Sequence, residues 1–148
     1  MYLSAVTVCV HYGDFLAHTL PANRECFDEM VVVTSPKDLY TQAVCEFNNV
    51  KCIVTDVFYE NGASFNKAKG INEGLKALNK KDWVLHIDSD IWLPPTFRVV
   101  LEKVPLNRSY LYGVDRLMCP TYQAWENFKV QQKPVHEAWV YQHMDFFP

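Results

Sequence analysis

The sequence lacks the two glycine-rich patterns by which many proteins hold nucleotide phosphates. Its 148 residues contain neither a Gly-x-x-x-x-Gly-Lys-Ser/Thr loop nor a Gly-x-Gly-x-x-Gly turn. Both patterns work by bringing backbone N–H groups close to the phosphates. Any phosphate bound by this chain must therefore be neutralised by a metal ion. The net charge of −3 also argues against the broad basic surface that is typical of proteins binding nucleic acid or anionic membranes.

Metal-type cysteine pairs and long hydrophobic runs are missing as well. The five cysteines include no Cys-x-x-Cys pair, which argues against the usual zinc and redox motifs. We expect reduced thiols, as in cytoplasmic proteins. No apolar run approaches 18 residues, so no transmembrane segment is predicted. No basic region precedes the short apolar run at the N-terminus, so we expect no signal peptide and a cytoplasmic location.

Apolar strands alternate with helices along the first hundred residues. Runs rich in β-branched residues predict buried parallel strands at about 5–10, 30–34, 50–54 and 83–87. Helices are predicted between them, at about 15–26, 39–47 and 64–78. This alternation predicts an α/β fold with three layers, α/β/α, and a mostly parallel Rossmann-like sheet. Ligands of such folds bind at the carboxyl ends of the strands, where strand order reverses.

Two carboxylates follow the fourth predicted strand. Asp88 and Asp90 flank Ser89, and on a continuing strand both would point the same way. Mg²⁺ and Mn²⁺ are commonly held by one or two carboxylates together with substrate phosphates. The stretch therefore predicts a metal and phosphate site, although Asp-Ser-Asp also occurs as a turn or helix cap. His136 and His143 are candidates for a further metal ligand.

Other residues at strand and helix ends fit the same hypothesis. Lys67 lies near the start of the third helix, where free N–H groups suit a phosphate; a solvated lysine face is the ordinary alternative. His11 and Tyr12 follow the first strand, where an aromatic ring could pack on a nucleotide base or belong to an ordinary loop. Arg116 could bind a phosphate or form an ion pair with its neighbour Asp115. His86, inside the fourth strand, is expected to be a core histidine.

Three stretches, in this order, carry a family resemblance. The strand and loop Ala5–Tyr12 are followed by a helix and a second strand. Phe65-Asn66-Lys67-Ala68-Lys69 resembles the Phe-Asn-Arg-Ala-Lys motif of galactosyltransferase-like enzymes. Asp88-Ser89-Asp90 resembles the Asp-x-Asp motif, at the usual distance after that helix. Over about residues 5–98 the chain thus resembles the nucleotide-sugar-dependent glycosyltransferases of the GT-A fold, especially family 2-like members.

The resemblance implies a metal-dependent hexosyltransferase. Such an enzyme moves a sugar from a nucleoside-diphosphate sugar, here a UDP-sugar in preference, to a hydroxyl of a glycan, protein or lipid acceptor. It implies Mn²⁺ or Mg²⁺ as cofactor, held by Asp90 and Asp88. It also implies nucleotide-sugar binding by Val10, His11, Tyr12, Thr34, Lys67, Asp88 and Ser89. Ser35 or Asp38 would accompany Thr34 near the base or ribose.

The chain departs from the family pattern in three respects. Its second strand ends in Thr34-Ser35 instead of the acidic pair that many members show. Lys67 replaces an arginine, so a bidentate contact is lost. No residue after Cys119 matches the acceptor half or its catalytic group, and the catalytic base stays unassigned. We expect residues 1–119 to form the donor-binding GT-A domain, and residues 120–148 to be an aromatic-rich remainder of that domain, a truncated acceptor part.

Two alternatives remain open on the sequence. A nucleotidyltransferase shares the layout and the need for a metal, but those enzymes usually open with a glycine-rich, basic loop after the first strand. His11-Tyr12-Gly13-Asp14 has neither property. The other alternative is a non-catalytic domain that binds nucleotide sugars or another protein, with the aromatic tail as its contact surface.

Overall fold

A computed structural model describes residues 1–131 and the backbone of residues 140–142. The contacts of the chain divide it into two units, Met1–Val104 and Pro105–Pro148. The first unit holds the main sheet and the second a small one, and each is described by itself. The expected division into a donor part at 1–119 and an acceptor part at 120–148 concerns binding roles and stays a prediction.

Four strands form an all-parallel sheet in the first unit. They are β1 (Leu3–Val8), β2 (Glu29–Thr34), β3 (Lys51–Val54) and β4 (Trp83–His86). Their order across the sheet is β3-β2-β1-β4. The chain moves outward from β1 to β3 and then returns to the other side of β1, so strand order reverses between β1 and β4. The predicted three-layer α/β/α fold with a parallel, Rossmann-like sheet is confirmed.

Four helices belong to this unit. They are α1 (Gly13–Asn23), α2 (Leu39–Phe47), α3 (Lys67–Ala77) and α4 (Phe97–Leu101). Short 3-10 segments cover Arg24–Cys26 and Val57–Gly62. The bounds of α2 agree with the prediction because Asp38 caps it, accepting a hydrogen bond from the N–H of Thr41 at 3.1 Å. Asp14 lies in the first turn of α1.

The sheet separates two hydrophobic cores, because side chains of a strand alternate between its faces. Ala5 and Cys9 belong to the core that contains Leu16 and Leu20 of α1. Val6 and Val8 belong to the opposite core, which α3 covers with Ile71 and Leu75. Helices therefore cover both faces of the sheet. This arrangement leaves the carboxyl ends of the strands, where the chain turns into each helix, as the place for polar residues.

The fourth strand differs from its predicted environment. Its apolar sequence predicted burial on both faces, but within the described residues β4 pairs with β1 alone. Val84 is 36% exposed, and the side chain of His86 is 38% exposed. The prediction of His86 as a core histidine was therefore wrong. The sequence pattern cannot distinguish a central strand from an edge strand that carries apolar residues.

The second unit contains a short antiparallel pair of strands and a helix. The strands are β5 (Arg116–Met118) and β6 (Val140–Gln142), and α5 (Tyr122–Gln131) lies between them in the chain. The loosely alternating residues of 109–119 predict a strand over the whole run, but the structure forms one only at Arg116–Met118. The candidate ligands His136 and His143 lie outside the described residues. In the described part of the chain no helix is long and apolar enough to cross a membrane.

Candidate nucleotide and metal site

A cavity of about 400 Å³ opens at the carboxyl ends of β1 and β4. This is the place where strand order reverses, and parallel α/β folds bind ligands at such a crevice. Its lining comes from the loops after β1 and β4 and from the chain that leads into α3. The lining residues are Val8, Val10, His11, Tyr12, Tyr59, Ser64, Phe65, Lys67, Asp88, Ser89 and Asp90.

Asp88 and Asp90 lie in a turn and not on a strand. β4 ends at His86, and the carbonyl of Asp88 accepts a hydrogen bond from the N–H of Ile91 at 3.1 Å. The argument that both acids share one face of a continuing strand was therefore wrong. The turn nevertheless brings both acids to the cavity. Asp90 is exposed, and no described residue forms a hydrogen bond or ion pair with its carboxylate, so a cation can reach its oxygens.

Lys67 meets Asp88 at the start of α3. Asn66 caps the helix by accepting a hydrogen bond from the N–H of Lys69 at 3.1 Å. The next residue, Lys67, donates from its Nζ to Oδ1 of Asp88, and both side chains are 41% exposed. Lys69 pairs with Glu60 instead, at 2.7 Å, and does not line the cavity. Of the lysines in the motif, Lys67 is the one that the structure brings to the carboxylates.

A histidine that the sequence placed in the core approaches the same carboxylate. Nε2 of His86 lies 3.5 Å from Oδ1 of Asp88. Burial lowers the pKa of His86 below its ordinary value; the negative charge of Asp88 acts in the opposite direction without cancelling that effect. The imidazole is therefore neutral at pH 7. Asp88 thus has a charged partner in Lys67 and a neutral one in His86, whereas Asp90 faces solvent.

The loop after β1 reaches the cavity as predicted. Val10, His11 and Tyr12 all line it, and Tyr12 is 57% exposed. His11 has a left-handed backbone, with φ of 62°, which is uncommon outside glycine. Its N–H donates a hydrogen bond to Oδ2 of Asp38 at 2.6 Å. The exposed ring of Tyr12, on a loop whose backbone is held by this hydrogen bond, is suited to stack on a flat ligand.

Thr34 is the predicted binding residue that the structure does not bring to the cavity. It is fully buried at the end of β2, and its hydroxyl donates to Oδ2 of Asp38 at 3.2 Å. Ser35 is buried too, at 2% exposure, and Asp38 at 4%. None of the three lines the cavity. A direct contact of Thr34 with a nucleotide stays a prediction.

Two aromatic residues of the lining were missed from the sequence as binding residues. Tyr59 is 41% exposed and Phe65 46% exposed, on the chain between β3 and α3. The ring of Phe65 stacks on the buried Phe58 at 5.3 Å between centroids. In the sequence Phe65 stands out only as part of the Phe-Asn-Lys-Ala-Lys motif, and Tyr59 only begins a stretch rich in turn residues. Their spacing has no period, so only the fold reveals that both border the same cavity as Tyr12.

The carboxylates fit a divalent cation that arrives with its substrate. Among the described residues, no group of three or more His, Cys, Asp or Glu side chains could hold a metal ion. Mg²⁺ binding commonly needs only one or two protein carboxylates, because phosphate oxygens and water complete the shell. Asp88 and Asp90 supply that number of hard oxygen ligands. The donor set suits Mg²⁺ or Mn²⁺ and not a softer metal.

Comparison with known proteins identifies the fold. No protein-family model matches the chain, and no curated protein sequence matches it. A solved structure is similar: a nucleotidyl transferase from Methanothermobacter thermautotroptrophicus, with a TM-score of 0.53 and 13% sequence identity. The match covers 95% of this chain and 85% of that one. Because one fold serves many reactions, a similarity at this identity establishes a shared α/β architecture and leaves the activity to the site.

Proposed function

We propose that the first unit binds a nucleoside-diphosphate sugar together with Mn²⁺ or Mg²⁺ and transfers the sugar to an acceptor hydroxyl. One observation carries the proposal. Asp88, Asp90 and Lys67 come together in a single cavity with exposed aromatic rings, at the point where strand order reverses. A metal-bound nucleoside diphosphate requires two carboxylates for the metal ion, a positively charged side chain for the phosphates and flat apolar surfaces for the base.

Six residues of the lining have assigned roles in this proposal. Asp90 and Asp88 would hold the cation, which would supply Lewis-acid stabilisation of the charge on the leaving diphosphate. Lys67 turns from Asp88 toward a phosphate oxygen when the donor binds. The ring of Tyr12 stacks on the base, and Tyr59 and Phe65 border the remaining space. The group that removes the acceptor's proton is not assigned.

Nucleotidyl transfer is the second candidate, and a similar solved structure, that of a nucleotidyl transferase, gives it weak support. The loop after β1 argues against it. Enzymes of the nucleotidyl type usually present a glycine-rich, basic loop after the first strand. Here that loop contains His11 and Tyr12, and the N–H of His11 already donates to Asp38. That N–H is therefore not available to a phosphate.

The two reactions break different bonds, so their products separate them. Glycosyl transfer breaks the bond between the sugar C1 and the β-phosphate oxygen; the acceptor oxygen bonds to C1, its proton passes to a base, and a nucleoside diphosphate leaves. Nucleotidyl transfer breaks the bond between the α- and β-phosphates of a nucleoside triphosphate. A sugar phosphate oxygen bonds to the α-phosphorus and pyrophosphate leaves. Assays for nucleoside diphosphate and for pyrophosphate, each with and without Mn²⁺, distinguish the reactions. In the assay for nucleoside diphosphate, water serves as the acceptor when no other acceptor is added.

A calorimetric titration tests the binding step. UDP-sugars, GDP-sugars and nucleoside triphosphates are titrated into the protein with and without Mn²⁺. We expect Mn²⁺-dependent binding of a nucleotide sugar that Asp90→Ala abolishes. Asp56→Ala is the matched control, because Asp56 is also exposed but does not line the cavity. Failure of every nucleotide sugar to bind would refute the proposal. Binding without turnover would favour the non-catalytic binding domain.

A further inference from the structure

A buried carboxylate outside the cavity holds the first loop of the site in place. Asp38 is 4% exposed and accepts four hydrogen bonds. Three come from its own neighbourhood: the N–H of Thr41 at 3.1 Å, the hydroxyl of Thr41 at 2.7 Å and the hydroxyl of Thr34 at 3.2 Å. The fourth and shortest comes from the N–H of His11 at 2.6 Å, 27 residues earlier in the chain. One carboxylate thus joins the start of α2 to the loop after β1.

The loop needs such a partner because its backbone is strained. A non-glycine residue in the left-handed conformation is sterically unfavourable, and His11 has φ of 62°. Such strain persists only where the surroundings determine the conformation. A second contact supports the first. A Cβ on Gly13 would lie 2.7 Å from Cδ1 of Tyr40 and 3.0 Å from Oγ1 of Thr41. The loop therefore lies directly against the first turn of α2.

Tyr12 lies between His11 and Gly13, the two residues that contact the start of α2. Its ring lines the cavity, and its carbonyl accepts a hydrogen bond from the N–H of Leu16 at 3.1 Å in the first turn of α1. The direction of the ring therefore depends on the left-handed turn at His11. If the bond from His11 to Asp38 is lost, the loop can relax to the ordinary backbone region, and Tyr12 then leaves its place.

We propose that Asp38 is a positioning residue for the nucleotide: through the N–H of His11 it fixes the loop that presents Tyr12 to the base. The inference rests on the proposed function and adds to it a residue that does not touch the ligand. It differs from the sequence expectation, in which Asp38 would lie near the base or ribose. Its carboxylate faces α2 and the loop backbone, and it does not line the cavity.

Asp38→Asn separates this role from the capping of α2. Asparagine caps helices as well as aspartate, so its Oδ1 retains the bond from the N–H of Thr41. Its NH₂ group cannot accept a hydrogen bond from His11. Thr41→Val is the matched control, because it disturbs the same carboxylate and leaves the bond from His11 intact. We expect Thr41→Val to lower stability without changing nucleotide affinity.

The test is a double-mutant cycle with His11→Gly, since glycine adopts a positive φ without strain. Mn²⁺-dependent UDP binding is measured for the wild type, both single variants and the double variant. We expect Asp38→Asn to weaken binding about ten-fold in the wild-type background, as the loss of about 1.4 kcal/mol implies. We expect the same change to weaken binding less than about three-fold in the His11→Gly background, because glycine adopts the left-handed conformation without the hydrogen bond to Asp38.

An amide hydrogen-exchange measurement separates the two proposals. The N–H of His11 should exchange slowly in the wild type and rapidly in Asp38→Asn, whether or not a nucleotide binds. Equal losses of affinity in both backgrounds would overturn the inference, and so would fast exchange at His11 in the wild type. A wild type that shows slow exchange at His11 but binds no nucleotide would overturn the proposed function and, with it, the positioning role, while leaving the loop geometry confirmed.

Discussion

Nζ of Lys67 donates a hydrogen bond to Oδ1 of Asp88. This contact joins the first residue of α3 to the turn after β4, 21 positions later in the chain. A lysine ammonium thus lies beside one of the two carboxylates proposed to hold a divalent cation. In the proposed function the lysine and the cation would compete for Asp88 until a diphosphate offered the lysine other oxygens. The pair would then couple metal binding to nucleotide binding.

Lys67→Met should change the affinities for metal and nucleotide in opposite directions. Without Lys67, Asp88 loses its charged partner and keeps only the neutral His86 among the partners described above, so Mn²⁺ alone should bind up to about five-fold more tightly, the limit for a half-exposed pair. Binding of the Mn²⁺-bound nucleotide should weaken about ten-fold or more, because a charged hydrogen bond to phosphate is lost. Calorimetry measures both. Lys69→Met is the control, since Lys69 pairs with Glu60. Weaker Mn²⁺ binding by Lys67→Met would contradict the prediction.

Tyr12→Ala should weaken nucleotide binding without unfolding the protein. The ring is 57% exposed, so its removal leaves no cavity in the core. Stacking of a base on an aromatic ring contributes about 1–3 kcal/mol, which corresponds to a loss of roughly 5- to 150-fold in affinity. Tyr122→Ala is the control, because Tyr122 is also exposed, at 76%, and does not line the cavity. Equal affinities of the Tyr12 variant and the wild type would exclude base stacking there.

Gly74→Ala should destabilise the fold, although alanine is the better helix former. The new Cβ would lie 2.3 Å from Cγ2 of Val6 and 3.0 Å from Cγ2 of Val33. Overpacking of this kind costs about 1–3 kcal/mol, and the gain in helix propensity of about 1 kcal/mol offsets only part of it. Urea unfolding should show a net loss of up to about 2 kcal/mol. Asn72→Ala, at an exposed position on the same helix, should cause no loss. An unchanged midpoint for Gly74→Ala would mean that α3 can move away from the sheet.

The stability of the protein should fall in acid partly through Asp38. Burial alone would raise the pKa of this carboxyl, but the hydrogen bonds from His11, Thr41 and Thr34 outweigh burial and lower it. A lowered pKa in the folded state means that the contribution to the free energy of unfolding is complete above the unfolded value of about 3.9. The contribution is lost as the pH falls through the folded value.

The matched measurement compares unfolding of the wild type and Asp38→Asn between neutral and acidic pH. The difference in the free energy of unfolding should be largest at pH 7 and should shrink below about pH 4. The variant has no carboxyl to protonate at this position. A difference that stays constant over this range would show that the carboxylate charge of Asp38 contributes nothing to stability.

The α/β fold and three residues of the cavity could be predicted from the chain order of apolar runs, acids and lysines. Continuous apolar runs predicted the strands, because strands buried between helices leave no room for polar positions. Asp88, Asp90 and Lys67 were identified because acids and a lysine stand where strands end or a helix begins. In a parallel sheet all such ends meet at one edge. Chemistry and chain order were therefore enough to predict that these residues converge.

Only the tertiary structure decided the environment of each residue. Apolar composition does not show which strand lies at the edge of the sheet, so His86 was expected in the core and instead approaches Asp88. No periodicity links Tyr59 and Phe65 to Tyr12. The bond between Asp38 and His11 spans 27 residues and depends on a left-handed backbone that no local pattern marks. Long-range contacts and backbone strain arise when separate segments pack together, and for that reason the fold alone revealed how the first loop of the site is held.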